Sequence, residues 1–282
     1  MTDILLDDTF MDESVDVLSK KKRERLDYRL QIAENQDRIL RKDITTNRAV
    51  MEEVFDKSTL MTVYHLLNQN VIEQIVGTLK SGKESRIYYG LGSEGERIAI
   101  KIYLTTSSEF RKGMLTYLVG DPRYKVRKRD SRSLTFLWTR KEFENLHKAY
   151  SVGIRVPQPI HFEKNVLVME FIGEDSVPAP TLKEKAPEHP EKMYDLLLET
   201  VRLLYREAKL IHSDLSEYNI MHLDNEPILF DMSQSVRIEH PLADKFLLRD
   251  LNNLNHFFKK NGVKTREVNS LYKWVTGNDR TK

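Results

Sequence analysis

A polar loop in the second half of the chain restricts the possible folds of this sequence more than any other segment does. An amphipathic helix is predicted over about 191–209, and the loop after it carries His212, Asp214 and Asn219. A later apolar run ends in another acid, Asp231. At such a site one carboxylate can orient an attacking hydroxyl, while an amide and a second carboxylate hold metal ions on a triphosphate. The pattern therefore favours a phosphoryl-transfer enzyme.

The two halves of the chain differ in their periodicity. Short apolar segments separated by glycine-bearing turns predict strands at 71–77, 87–89, 98–103, 156–162 and 166–172. Pro157 and Pro159 mark an edge strand. A Pro- and Lys-rich linker at about 176–190 then leads into mostly helical patterns. This order predicts an α+β fold with two lobes around a cleft.

Helices are predicted from Ser58, as the N-cap, then on both sides of a basic loop within 106–150, over 191–209, and towards the end of the chain to about Val275. The inward face of the 191–209 helix is predicted to consist of Met193, Leu196, Leu197, Val201, Leu204 and Ala208.

A glycine-bearing turn between the first two strands is a candidate phosphate-binding loop. Residues 77–86 include Gly82 and Lys83, and backbone amides in such a turn can cradle phosphate oxygens while a lysine adds charge. The glycine spacing of the dinucleotide and Walker motifs is absent from this segment. Taken alone, the segment is more typical of a plain hairpin turn than of a phosphate-binding loop.

Lys101 lies on an apolar strand and projects to the face opposite its neighbours Ile100 and Ile102. Such a lysine either faces solvent or meets an acidic partner, because burying it unpaired is costly. If 138–146 is a helix, Glu142 shares a face with Trp138 and Asn145 and is the preferred partner. Glu144 is the competitor and points about 160° further round.

Composition excludes several classes of protein. The chain has 282 residues, 40% of them hydrophobic and 31% charged, with a net charge of +2 and no cysteine. Disulfide partners, cysteine-ligated zinc and thiol catalysis are therefore excluded. No segment approaches the ~20 apolar residues of a membrane span, and the acidic start is unlike a signal peptide. We expect a cytoplasmic protein without a membrane partner.

A basic stretch at 123–132 has six bases in ten residues. It could meet RNA phosphates or an acidic partner, or form a solvated, flexible loop. Ser131 lies within it and Ser133 directly follows it, and both serines are candidate phosphoacceptors.

Taken together, these segments resemble the RIO family of atypical protein serine kinases, and most closely its Rio-one branch. The resemblance extends over about 45–275 and is carried by Ser81–Glu84, Ala99–Lys101, Lys141–Leu146, His212–Asn219 and Phe230–Val236. It implies a trimmed, two-lobed protein-kinase-like fold with a β-rich N-lobe, a helical C-lobe and an N-terminal helical extension. The implied divisions are a charged head at 1–45, the extension at 46–70, the N-lobe at 71–172 and the C-lobe at 173–282.

The resemblance also implies ATP and Mg²⁺ as cofactors, with Mn²⁺ as an alternative metal. Asp214 would be the catalytic carboxylate that receives or orients the hydroxyl proton, while His212 would be structural. The other implied roles are phosphate binding by Ser81, Gly82, Lys83 and Lys101, support of Lys101 by Glu142, a hinge at the adenine formed by Met169, Glu170 and Ile172, and metal binding by Asn219 and Asp231.

The implied activity is autophosphorylating serine kinase and ATPase action in maturation of the small ribosomal subunit, with a pre-small-subunit particle as partner. Met232 and Ser233 follow Asp231 where most kinases have Phe-Gly, and no Ala-Pro-Glu follows. One alternative is a nucleotide-gated assembly factor whose output is ATP hydrolysis. Another is a small-molecule phosphotransferase of the aminoglycoside or choline type. The resemblance favours an archaeal source.

Overall fold

The computed structural model describes residues 55–104, 108–126 and 130–277. The charged head predicted at 1–45 and the first part of the predicted extension lie outside the described residues. Among the helices within these ranges, none combines the length and apolar character that crossing a membrane requires.

The described residues form six α-helices, eleven strands and one short 3₁₀ helix. The helices are α1 (Lys57–Asn68), α2 (Ser108–Leu118), α3 (Ser131–Ser151), α4 (Pro190–Arg206), α5 (Ala243–Lys260) and α6 (Val268–Thr276). The strands are β1 (Gln74–Ser81), β2 (Ser85–Leu91), β3 (Arg97–Tyr103), β4 (Pro159–Glu163), β5 (Val166–Glu170), β6 (Gly173–Glu174), β7 (Val177–Pro178), β8 (Leu210–Ile211), β9 (Ile220–Leu223), β10 (Glu226–Leu229) and β11 (Val236–Arg237). The 3₁₀ helix is Met232–Gln234.

A five-stranded antiparallel sheet forms the first lobe, in the order β1-β2-β3-β5-β4. β3 is central, and its Lys101 lies opposite Ile87 of β2 and Leu167 of β5. The prediction of an edge strand from the prolines is confirmed, because β4 ends the sheet and begins at Pro159. α3 packs against β4 and β5 and also reaches the 3₁₀ helix.

The second lobe is helical, and α4, α5 and α6 pack on one another. The predicted two-lobed α+β fold, with a β-rich lobe before a helical one, is confirmed. One buried cluster runs through both lobes, since it includes Ala99 and Leu167 of the sheet together with Leu204 and Leu251 of the helices.

Two details of the helix predictions are wrong. The N-cap of α1 is Asp56 rather than Ser58, because the Asp56 carboxylate accepts a hydrogen bond from the Thr59 backbone N–H at 2.8 Å. On α4, Leu196 is only half-buried, while Tyr194 and Leu198 are buried. The apolar face of α4 is therefore wider than predicted, since the helix is covered on two sides.

Two small antiparallel pairings bring distant polar residues together. β8 pairs with β11, so that Ile211 faces Val236. β9 pairs with β10, so that Ile220 faces Leu229. The loop after β8 and the segment between β10 and β11 consequently lie at the same end of these two strand pairs.

Candidate functional site

A cleft between the two lobes holds two adjoining cavities that share four lining residues, Lys80, Ile87, Met169 and Phe230. The first has a volume of about 310 Å³. Its walls are mainly apolar and include Leu79, Ile87, Ala99, Met169, Ile172, Ala179, Met221 and Phe230. The second, about 340 Å³, is polar and is lined by Gly82, Lys83, Glu84, Lys101, Glu142, Asn219 and Asp231, among others. An apolar compartment beside a cationic and acidic one suits a ligand with a flat ring and an anionic tail.

Lys101 lies where three elements meet. Its Nζ donates a hydrogen bond to Glu142 Oε1 on α3 at 2.7 Å and to Asp231 Oδ1 at 3.0 Å. The lysine and Glu142 side chains are 5% and 1% exposed, whereas the Asp231 side chain is 41% exposed towards the cleft. Side chains from both lobes therefore converge on one ammonium group.

The charges of this cluster support one another. Burial lowers the pKa of Lys101, but the carboxylates of Asp231 and Glu142 outweigh it and hold that pKa well above its usual range. Burial raises the pKa of Glu142, and Lys101 opposes the rise. The surrounding protein also disfavours the charge on Asp231, yet Lys101 and a hydrogen bond from Ser233 bring its pKa below the ordinary value. Lys101 stays cationic and Asp231 stays anionic at neutral pH.

Tyr103 completes this cluster and was missed by sequence reasoning. Its hydroxyl donates a hydrogen bond to Glu142 Oε2, while the Lys101 ammonium lies 4.9 Å from the centre of the Tyr103 ring. Lys101 and Tyr103 are both on β3 and their side chains share one face, as residues two apart on a strand do. The spacing of two residues between Lys101 and Tyr103 on a predicted strand was the sequence signal that could have identified Tyr103.

The turn between β1 and β2, here called the Gly82 turn, borders the polar cavity. The Gly82 backbone N–H donates to Ser85 O at 3.0 Å, and a Cβ at position 82 would lie 3.2 Å from that oxygen. Lys83 and Glu84 line the cavity, whereas Ser81 ends β1 and is not among the residues that line it. The turn thus brings backbone and a lysine close to the space in front of Lys101.

The loop after β8 carries Asp214 and Asn219. Asn219 Nδ2 donates to the Asp214 backbone oxygen at 2.9 Å and to Asp214 Oδ2 at 3.1 Å. Gln234, which sequence reasoning did not single out, donates to the same carboxylate oxygen at 3.0 Å. Burial, together with the charge of Asp231, raises the pKa of Asp214. A carboxylate of raised basicity suits a group that receives a proton.

The middle of α5 fixes the backbone of that loop. Asp250, which is 1% exposed, accepts hydrogen bonds from the backbone N–H groups of Ser213 at 2.7 Å and Leu215 at 3.0 Å. Arg249 donates to the Ser213 carbonyl. Burial raises the pKa of Asp250 to about 7. Ser213 has φ of 66°, a left-handed conformation that needs such support in a residue other than glycine.

His212 is buried behind the loop and contacts backbone rather than the cavity. Its Nε2 lies 3.1 Å from the Phe230 carbonyl oxygen, so Nε2 carries the proton and donates. Burial lowers its pKa to about 4, which keeps the ring neutral at neutral pH.

The residues predicted to form a hinge line the apolar cavity. Met169, Glu170 and Ile172 all border it. The Glu170 carboxylate, however, is held by both terminal nitrogens of Arg155 at 2.6 Å and by the Gln158 backbone N–H at 3.1 Å. Its side chain is therefore occupied, and so is its backbone N–H, which donates to the Gln158 carbonyl oxygen at 2.8 Å.

The candidate phosphoacceptors are not at the cleft. Ser131 and Ser133 lie in the first turn of α3, capped by Asp130. With a rise of about 1.5 Å per residue, roughly 15 Å of helix separates them from Glu142. Glu144 does not compete for Lys101, since it accepts from Tyr124 at 2.5 Å and Arg140 at 2.7 Å.

The oxygen atoms present suit a hard divalent cation. Asn219 donates both its hydrogen bonds through Nδ2, which leaves Oδ1 as an acceptor, and Asp231 uses Oδ1 for Lys101 and Ser233. In the described part of the chain, no group of three His, Asp or Glu side chains forms a metal cage. One or two oxygen ligands completed by phosphate is the usual arrangement for Mg²⁺.

Comparisons with known proteins agree with this geometry. A family model described as RIO domain matches residues 86–271. The chain is 40% identical over 230 residues to RIO-type serine/threonine-protein kinase Rio1 of Haloferax volcanii, covering 82% of this chain and 78% of that relative. It is 38% identical over 265 residues to the protein of the same name from Methanocaldococcus jannaschii, covering 93% and 88%.

Similarity to solved structures is more distant. The Rio2 kinase of Chaetomium thermophilum, solved as an ADP/Mg²⁺-phosphoaspartate complex, has a TM-score of 0.58 and 22% identity, covering 78% of this chain and 66% of that chain. A second structure of the same kinase has a TM-score of 0.58 and 23% identity, covering 78% and 68%. Identity at this level shows a shared fold.

Proposed function

Because this chain belongs to the RIO family and is a serine/threonine-protein kinase, we propose that it binds ATP with Mg²⁺ in the cleft and transfers the γ-phosphoryl group to a serine hydroxyl, including one of its own. The observation that carries this proposal is the position of Lys101. Its ammonium lies within 3.0 Å of carboxylates from α3 and from the segment after β10. The same ammonium faces the polar cavity beside the Gly82 turn.

The adenine ring would lie in the apolar cavity against the hinge, and the phosphates in the polar one. Lys101 and Lys83 would offset phosphate charge, and Glu142 would orient Lys101. Asn219 and Asp231 would hold Mg²⁺, which supplies charge neutralisation for the transferring group. Mn²⁺ could replace it, since the same oxygen ligands suit both.

Asp214 would orient the incoming serine hydroxyl and receive its proton. Its hydrogen bonds from Asn219 and Gln234 fix the carboxylate relative to the proposed metal site. Catalysis would then depend on positioning and electrostatic stabilisation more than on covalent chemistry by the protein.

Two substitutions test these roles. Asp214→Ala and Asp231→Ala should each lower transfer of label from γ-labelled ATP to protein by about a hundred-fold or more. Circular dichroism should show both variants folded. Asp195→Ala is the matched control, because Asp195 is an exposed acid paired with Arg266 on the helical lobe. Activity of either cleft variant equal to that of the control would refute the assignment.

The destination of the label tests the small-molecule alternative. Label on protein supports a protein kinase, whereas label on small metabolites supports a phosphotransferase of the aminoglycoside or choline type. The short connection from Asp231 to α5, which begins at Ala243, leaves little room for a substrate-binding insertion at that point.

A second proposal concerns the output of ATP turnover. We infer that the protein acts as a nucleotide-gated factor in maturation of the small ribosomal subunit. Its support is the compact segment after Asp231, which enters a 3₁₀ helix and β11 instead of a long activation loop of the kind that presents peptide substrates. Co-sedimentation with small-subunit particles that changes between ATP and ADP would support this role. Sedimentation independent of nucleotide would contradict it.

A further inference from the structure

Lys141 is a lysine buried in the interior on the helix that carries Glu142. Its side chain is 0% exposed. Its Nζ donates to the Ser233 carbonyl oxygen at 2.9 Å and to the Ser235 carbonyl oxygen. Within the described ranges, no carboxylate lies in salt-bridge range of it. The side chain therefore binds the backbone of the segment that follows Asp231.

Asn145 lies one turn further along α3 and binds the same segment. Its Nδ2 donates to the Met232 carbonyl oxygen at 2.8 Å and to the Ser235 carbonyl oxygen at 2.9 Å. Its Oδ1 accepts from Arg123 Nη1 at 2.8 Å. That arginine fixes the orientation of the amide, so that both N–H groups point at the carbonyls.

These four hydrogen bonds hold a backbone that would otherwise be strained. Asp231 has φ of 56°, in the left-handed region that residues other than glycine occupy rarely. Such a conformation persists only where surrounding contacts determine it. The carbonyls of the next residues, 232–235, are the groups that Lys141 and Asn145 bind.

Stability alone does not explain a lysine at this position. Burying an amine is costly, and well-packed apolar residues of similar volume are often at least as stabilising as buried polar groups. What a lysine and an asparagine supply, and apolar residues do not, is several directed donors to carbonyl oxygens. The benefit therefore lies in fixing the geometry of the segment.

We propose that Lys141 and Asn145 are positioning residues that fix the Asp231 carboxylate for its cation. One turn of α3 thereby sets both halves of the phosphate site, since Glu142 orients Lys101 while its neighbours on the helix orient Asp231. This inference rests on the proposed function, in which Asp231 binds Mg²⁺. α3 cannot shift away from the cleft without also releasing the segment after Asp231.

The test compares Lys141→Met and Asn145→Asp with the wild type. Methionine keeps the length of the lysine and removes its donors, and aspartate keeps the shape of asparagine and replaces its donors with an acceptor. Lys148→Met on the same helix, where the lysine is half-buried, is the control. At saturating ATP, we expect the Mg²⁺ midpoint of the kinase reaction to rise about ten-fold in Lys141→Met and in Asn145→Asp, as loss of one or two hydrogen bonds implies. The control should not shift.

A second readout does not depend on activity. Mn²⁺ binding in the presence of a non-hydrolysable ATP analogue, followed by the electron paramagnetic resonance signal of free Mn²⁺, should weaken by a similar factor. Affinity for the analogue in the absence of divalent metal should change less than three-fold, because Lys101 and Glu142 are intact. A merely structural role would lower the melting temperature and the maximal rate while leaving both metal midpoints in place, and that result would overturn the inference.

The outcomes separate this inference from the proposed function. If wild-type protein shows no Mg²⁺-dependent transfer, or Asp231→Ala retains it, the proposed function is wrong. If the wild type is active and Asp231→Ala is inactive, yet Lys141→Met and Asn145→Asp keep wild-type metal midpoints, only the positioning role is wrong. Should Lys141→Met fail to fold, Asn145→Asp carries the same test, because it changes no side-chain volume.

Discussion

The hydroxyl of Tyr103 is a single group whose contribution to stability and activity can be measured. Tyr103→Phe removes only the hydroxyl that donates to Glu142. Because hydrogen bonds to charged groups contribute about 1.5–3 kcal/mol, we expect the free energy of unfolding to fall by about 2 kcal/mol. We also expect kcat/KM to fall several-fold as Glu142 holds Lys101 less firmly.

Denaturant titration and steady-state kinetics measure these two effects. Tyr150→Phe on the same helix as Glu142 is the control, since Tyr150 is 44% exposed. If Tyr103→Phe matched this control in both measurements, Glu142 would not need the second hydrogen bond.

His212 predicts a specific dependence of stability on pH. Its pKa is lowered to about 4 in the folded protein, from an ordinary value of 6.5. The unfolded chain therefore binds a proton first as pH falls, so the stabilisation is complete above pH 6.5 and is lost towards pH 4. Between pH 7 and pH 5 the wild type should lose about 2 kcal/mol that His212→Gln does not lose.

Urea unfolding of both proteins at pH 7, 6 and 5 provides the measurement. Asp250, whose raised pKa acts with the opposite sign over this range, is present in both proteins and cancels in the difference. Parallel pH profiles for the wild type and His212→Gln would show that the ring takes up a proton in the folded state as readily as in solution.

At the scale of elements, α5 is the support of the loop that carries Asp214. Asp250→Ala would leave the buried N–H groups of Ser213 and Leu215 without their acceptor. Each unsatisfied group costs about 1–3 kcal/mol, so we expect a loss of about 3 kcal/mol in stability. We expect kcat to fall more than KM for ATP rises, because the loop positions the hydroxyl rather than the nucleotide.

Asn252→Ala is the matched control on the same helix. Asn252 is exposed and donates only within the helix, to Leu248 O at 2.8 Å. Its loss should change stability by about 0.5 kcal/mol or less. A larger effect of Asp250→Ala on KM than on kcat would mean that α5 supports nucleotide binding instead.

The elements themselves were largely predictable from sequence, and their side-chain contacts were not. Strand alternation and helical periodicity are local signals, so β3 and α4 were expected within a few residues of where they lie, and a helix was expected after the basic loop, where α3 lies. The hydrogen bonds of Lys141 and Asn145 join residues about 90 positions apart, and no local pattern marks them. The N-cap of α1 was misplaced because Asp56 and Ser58 are both good caps, and only the geometry chooses between them.

The candidate site shows the same division. The pairing of Lys101 with Glu142 could be predicted from sequence because a lysine inside an apolar strand requires a partner, and α3 contains few acids. Asp250 gave no such signal, since an acid on an amphipathic helix is ordinarily solvated. Asp250 is buried because the loop after β8 packs on it, and this tertiary contact has no local signal in the sequence.

At the scale of the whole molecule, the shared core predicts that both lobes unfold together. One apolar cluster joins sheet residues such as Ala99 and Leu167 to helical residues such as Leu204 and Leu251. The chain has two tryptophans, Trp138 on α3 and Trp274 on α6, and each reports on one lobe. In Trp138→Phe and in Trp274→Phe, the fluorescence of the remaining tryptophan should change at the same denaturant midpoint as far-ultraviolet circular dichroism.

Ligand binding should shift both midpoints equally, because the nucleotide would contact both lobes. At a hundred times its dissociation constant, Mg²⁺–ATP should add about 2.7 kcal/mol to the free energy of unfolding reported by either tryptophan. Lys101→Met should lose most of this gain, since the ammonium that joins Glu142 to Asp231 is absent. A ligand shift confined to one tryptophan, or two separate midpoints without ligand, would show that the lobes are independent folding units and that the cleft forms only after each has folded.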